Sequence, residues 1–291
     1  MQSSAILLLS IVMTKVEKAI LRTLAFFDIF QRPLFLDEIW HFLYQVKASR
    51  LQVLIGLKNL QKKKLIIKKE KYFFLSGSQK NLADFKRKQQ ICQKRWQKVN
   101  WVIKVLKYVP FVKNISVINS LSFGVSDENS DIDILIIARK DRLWTARALT
   151  VILLEILGQN KNKWYQANKF CLGFAFDENN LALDRLRLNP PAGGDIYFTF
   201  WLAQLVSCFD QKIYQRFIHK ENYWLRQDLP NWEMGNPPKT NLKPSFLERL
   251  LNRPLGGKME NWLAKIQIKR ILADPQSKKG SVLADLHLMK L

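Results

Sequence analysis

Apolar residues recur every three to four positions between residues 14 and 29, where Val16, Ile20, Leu24 and Phe27 form one stripe. That spacing predicts an amphipathic helix. Thr14-Lys15-Val16-Glu17 supplies a capping box at its start, and Gln31-Arg32-Pro33 ends it. Leu36-Asp37-Glu38 reopens helix with acids in the first turn. A third helical segment is expected from the N-cap Ser49 to Gln61. Beyond it the period changes. Leu65-Ile66-Ile67 and Tyr72-Phe73-Phe74-Leu75 flank Lys68-Lys69-Glu70-Lys71, which predicts a β-hairpin with a charged tip. Residues 81–108 return to helical spacing, with Leu82, Phe85, Trp96, Val99, Ile103 and Leu106 on the apolar side, until Pro110 breaks the run.

From residue 111 the pattern changes again. Residues 111–118 and 131–137 are apolar enough to be buried strands, as is Phe170 to Phe176. Trp144 to Leu157 between them is helical. Asn189 to Gly194 is a break. Asp195 to Asp210 is expected to be an aromatic-rich helix, with Tyr197, Phe198, Phe200 and Trp201 read as core residues before base-stacking ones, and Tyr197 and Trp201 as the two stacking candidates. Residues 230–244 hold four prolines and read as a strap. Helices are expected from Ser245, with Glu248 as its capping partner, and over Lys258–Ala273. Residues 274–291 are read as a tail. No internal repeat is present.

Composition narrows the class. The chain has 291 residues, 48% apolar, with a net charge of +23. Residues 1–110 hold 22 Lys and Arg against 6 Asp and Glu, a balance of +16, which leaves +7 for the rest. Charge so concentrated favours a polyanion, most often nucleic acid; a solvated lysine-rich surface is the plainer reading. Cys92, Cys171 and Cys208 show no metal spacing and suggest buried thiols in a reducing, cytoplasmic setting. The apolar run Ala5–Met13 lacks a basic flank and a cleavage site. It is too short to span a bilayer, so no membrane partner is expected. Met13 is an alternative start.

One run carries chemistry. Ile118-Asn119-Ser120 is followed, after the ten residues Leu121–Ser130, by Asp131-Ile132-Asp133-Ile134. On a strand, Asp131 and Asp133 share a face about 7 Å apart. Two carboxylates that close call for a cation, and oxygen ligands suit Mg2+ or Mn2+. Ser120 beside them is a candidate phosphate ligand. Asp177, at the end of the Phe170–Phe176 strand with the parity of Cys171, Gly173 and Ala175, is the one candidate for a third acid. Asp177-Glu178-Asn179-Asn180 also reads as a turn, which its composition favours. Arg142 and Arg147 are candidates to face phosphate or, more simply, surface charges or structural pairs.

This run resembles the signature of the DNA polymerase beta-like nucleotidyltransferase superfamily, with Asn119 where that pattern has Gly. Asn tolerates positive φ. The resemblance implies an α+β fold with a central mixed sheet over 111–188, a helical region over 195–273, and an NTP substrate. It implies that Asn119 and Ser120 bind nucleotide and that Asp131 and Asp133 hold the metal. The helix order before it, over 14–78, resembles a winged helix joined through a basic linker helix, 79–110. That implies nucleic-acid contact from Arg50, Lys58 and Lys62 on the third helix and from Lys68, Lys69 and Lys71 on the hairpin, although such modules also dock proteins. Ala25-Phe26-Phe27-Asp28-Ile29-Phe30, Pro110-Phe111-Val112 and the 119–137 run together resemble a bacterial family with this domain order and no assigned substrate.

Overall fold

The computed structural model describes residues 13–78, 82–162, 164–188, 194–252, 254–273, 283–285 and 287–290. The apolar run before Met13, the break after Asn189 and the loop after Asp274 lie outside the described residues. The chain forms two compact units, one from residues 1–86, 190–200 and 224–233 and the other from 87–189, 201–223 and 234–291.

In the first unit, helix α1 (Lys15–Ile29) starts at a full capping box: Glu17 N–H donates to Thr14 Oγ1 and Thr14 N–H donates to Glu17 Oε2. Strand β1 (Leu34–Phe35) leads into α2 (Leu36–His41), and α3 (Arg50–Lys62) is capped by Ser49 with Gln52. Strands β2 (Ile66–Lys69) and β3 (Tyr72–Leu75) form the hairpin, and the sheet order is β1-β3-β2, antiparallel throughout. Ile20, Leu24, Phe27, Leu34, Ile39, Val53 and Leu57 are buried at its core. The returning segment adds Phe200, stacked on Phe26 with ring centroids 4.5 Å apart.

The second unit carries a six-stranded sheet. Its strands are β4 (Val112–Val117), β5 (Ile132–Ala138), β6 (Phe170–Asp177), β7 (Val206–Asp210), β8 (Leu283–Ala284) and β9 (Leu288–Lys290), in the order β7-β4-β5-β6-β9-β8. Only β5 and β6 are parallel, joined through helix α6 (Leu143–Ile156), the kind of crossover that parallel pairing requires. One face, with Ile115, Ile134, Ile136 and Ala175, is buried with apolar residues of α4 (Leu82–Leu106), α6 and α10 (Pro254–Ala273). The other carries Asp133, Leu135 and Ile137.

Two expectations are corrected. The helix expected over Asp195–Asp210 stops early: α7 is Ile196–Ala203, and Val206–Asp210 is strand β7 on the free edge of β4. Asn114 and Ser116 are buried polar groups on β4, and Asn114 Nδ2 donates to Ser207 Oγ and Asp210 Oδ1. Tertiary pairing thus overrides local propensity. The tail is not without partners either: Leu288 and Met289 are buried, and β9 pairs with β6. Helix α5 (Asn119–Ser122), α8 (Trp224–Asp228) and α9 (Phe246–Leu251) complete the helices used below.

Candidate functional site

The chain leaves β4 at Ile118, still extended, and turns at Asn119, which has φ +58°. An L-residue meets a steric penalty there, and Asn is among the few side chains that accept it. The side chain is held at both ends. Asn119 Nδ2 donates to Asp133 Oδ2 at 3.0 Å, and Trp201 Nε1 donates to Asn119 Oδ1 at 2.9 Å. Ile118 N–H donates to the Asp133 carbonyl at 3.0 Å. The turn and the acidic strand are therefore one hydrogen-bonded unit. Ser120 follows, its Oγ 3.0 Å from that of buried Ser126.

Between Ser120 and Asp131 the loop organises itself around Asp127. Its carboxylate accepts from Asn129 N–H, Ser130 N–H and Ser130 Oγ. Burial opposes ionisation of Asp127, but those donors together hold its carboxyl below the usual range. Arg95 of α4, 4% exposed, donates to the Glu128 carbonyl, and its Nη1 has no partner. Burial lowers the Arg95 pKa, against the nearby charges of Asp127, Asp131 and Glu128.

Asp131 and Asp133 do lie together. Asp131 Oδ2 receives Lys161 Nζ at 2.6 Å. Burial first, then the Asp131 charge, pushes the Asp133 carboxyl up to about 6, against the Asn119 amide and Lys161. Cys171 lies directly opposite Asp133 in the β5/β6 pairing. One oxygen of each acid and Cys171 Sγ lie within 4.8 Å of one another. Burial and the charge of Asp133 push the Cys171 thiol up to about 12, so it is protonated at neutral pH and hydrogen-bonded to Asp133. Gly173 keeps the space open, because a Cβ there would stand 3.6 Å from Asp133 Oδ1.

These donors fit one divalent ion. Two carboxylate oxygens suit Mg2+ or Mn2+, and the adjacent sulfur would favour Zn2+ once deprotonated. Lys161 meets part of the same charge and would compete. The set does not fit a second ion: among the described residues, the cluster contains no third carboxylate.

The structure does not bring Asp177 to this pair. The β5/β6 register shifts between Ile134 and Leu135, leaving Gly173 as an extra residue on β6. That bulge inverts the parity inferred from Cys171, Gly173 and Ala175. Asp177 pairs with Ala138, on the face opposite Asp133 and at the other end of the strand. It is fully buried and accepts from Asn179 N–H, Asp141 N–H and His287 Nδ1. Its contacts are those of a turn anchor.

Lys161, Cys171 and Arg95 had no signature in the sequence. Lys161 is one of many lysines, and the place of Cys171 depends on an inter-strand register. Of the two aromatic candidates, Trp201 is 7% exposed and supports Asn119, whereas Tyr197 is 55% exposed in the other unit. Arg147 donates to Gln267 Oε1.

The basic candidates belong to the first unit. Lys58 and Lys62 are exposed on α3, in line with Leu51 and Ile55, 65% and 50% exposed. Arg50 is paired with Asp37 at 2.7 Å. On the hairpin, Lys68 lies over the Phe73 ring and Lys71 over Phe35 and Tyr72, while Lys69 is exposed. Among the described residues no helix is long and apolar enough to cross a membrane. No known family, curated protein or solved structure matches the chain.

Proposed function

We propose that the second unit binds a metal-complexed nucleoside triphosphate at Asp131 and Asp133 and transfers a nucleoside monophosphate to a hydroxyl acceptor. The observation that carries this reading is the bond from Asn119 to Asp133. It ties the phosphate-side turn to the acidic strand and places Ser120 at the same end of the sheet. When bound, the ion supplies neutralisation of the triphosphate charge. Arg95 and Lys161 add cationic charge, Ser120 offers a hydroxyl to phosphate oxygen, and Gly173 leaves room above Asp133.

In the transfer, the acceptor oxygen bonds to the α-phosphorus, the α–β phosphoanhydride bond breaks, and pyrophosphate leaves. The acceptor proton needs a base. The cluster contains Cys171 where a third acid would complete it, so the proton goes to solvent and turnover is slow.

That same observation favours a second reading: nucleotide binding without transfer, with the first unit acting on nucleic acid. The order α1-β1-α2-α3-β2-β3 and the β1-β3-β2 sheet support a winged helix, and Lys58, Lys62 and Lys69 are free to meet phosphates. Calorimetric titration of Mg·ATP and the other triphosphates into wild type and Asp131→Asn/Asp133→Asn tests both. Metal-dependent binding to wild type alone supports the site, and labelled product then separates transfer from binding. Binding to neither, with strongly salt-dependent binding of duplex DNA, overturns the nucleotide reading.

A further inference from the structure

Helix α10 carries apolar residues on two opposite sides. Gly256, Glu260, Ala264 and Ile271 are buried within the second unit. At about 100° per residue, Leu255, Trp262 and Ile266 fall within about 40° of one another on the other side. These three are 76%, 61% and 45% exposed. A helix that is apolar all round is ordinarily enclosed, and exposed large apolar side chains rimmed by polar ones mark a contact surface. The preceding helix α9 adds Phe246 and Leu250, which are also exposed.

Charge says what the surface meets. Lys258, Lys265 and Lys269 run along one flank of the row and Arg270 stands on the other, all of them exposed. The exposed side of α10 carries no acid. Its one acid, Glu260, is turned inward and accepts from Trp144 N–H and Thr145 N–H. Pairing this face with a second copy of the chain would set like charges together, which opposes self-association. The occupant is therefore anionic as well as apolar. An aromatic or aliphatic anchor in a protein interface fills a shaped pocket. A straight row about 16 Å long, with Trp262 inside it and bases alongside, needs only an apolar layer beneath anionic groups.

We propose that this face docks on an anionic phospholipid surface. Leu255, Trp262 and Ile266 enter the boundary between headgroups and acyl chains, and the lysines meet the lipid phosphates and carboxylates. The contact lies on the membrane and spans nothing; among the described residues no helix is long and apolar enough to cross one. The proposal does not rest on the nucleotidyltransferase reading.

The test mixes full-length protein with vesicles of phosphatidylcholine alone or with about 30% phosphatidylserine, and measures the bound fraction by flotation. Binding to the anionic vesicles is expected to be at least about tenfold tighter. Leu255→Gln/Ile266→Gln changes no charge and alters only exposed positions, and it should weaken that binding by about tenfold or more. Lipids brominated in their acyl chains should quench a tryptophan emission that is missing from Trp262→Phe, a variant that still binds. Vesicle binding that the double variant leaves unchanged is adsorption of a highly basic chain and overturns the proposal. So does failure to bind either vesicle, whether or not sedimentation shows the chain paired through this face.

Discussion

Asp133 and Cys171 face each other across the parallel pairing of β5 and β6, with Asn119 bonded to the same carboxylate from the turn above. A carboxyl near pKa 6 thus shares its pocket with a thiol near pKa 12. Both values have one cause, burial of groups that would each be charged beside another negative charge.

Replacing Cys171 with Asp should complete the acidic set. Without metal, three close acids repel, and thermal stability should fall; Mn2+ should restore it and bind about tenfold more tightly than to wild type. Melting curves in chelator and in Mn2+ check this. A variant whose stability ignores Mn2+ would show that Cys171 does not face the ion.

The raised pKa of Asp133 makes stability depend on pH. Its folded value, about 6, exceeds the ordinary 3.8. The folded state therefore binds the proton more tightly, and stability is lost as pH rises from about 4 through 6. The shift is worth on the order of 2–3 kcal/mol. Asp133→Asn should exceed wild type by about that much at pH 7.5 and match it near pH 4. Urea unfolding of both proteins at the two pH values is the measurement, and a constant difference would refute the assignment.

Asn119 has two separable roles. Asn119→Gly keeps the φ +58° turn but loses both side-chain bonds, whereas Asn119→Ala loses the bonds and strains the turn. The alanine variant should be the less stable of the two by about 1–2 kcal/mol. Equal stability of the two would mean that the backbone relaxes out of positive φ.

Glu260 on α10 caps the start of α6, taking two backbone N–H groups and a hydroxyl. Glu260→Ala leaves buried donors unpaired and should cost about 2–4 kcal/mol. Glu260→Gln retains acceptor capacity and should cost less. Chemical denaturation ranks them; a neutral alanine variant would show that water substitutes for the acid.

If the first unit meets nucleic acid, Lys58→Ala and Lys62→Ala should each reduce the slope of log affinity against log salt by about one, with little change in sequence preference. Fluorescence anisotropy with a duplex at several salt concentrations measures it. Unchanged slopes would place the contact elsewhere.

The features legible in the chain are those decided within a few residues. The Thr14–Glu17 capping box and the Ser49 N-cap are local, and both form. The closeness of Asp131 and Asp133 follows from their spacing at the start of β5, and the fitness of Asn119 for positive φ from its own side chain. What sequence could not decide depends on register between distant segments. One bulge at Gly173 carries Asp177 to the other face of the sheet. Cys171 and Lys161 reach the acids through strand pairing and a connecting loop. Strands β7 and β9 form because β4 and β6 present open edges. Local hydrogen bonds and steric preferences act over short separations and leave a pattern in the sequence. Register is chosen by the packing of whole faces, and only the assembled sheet determines it.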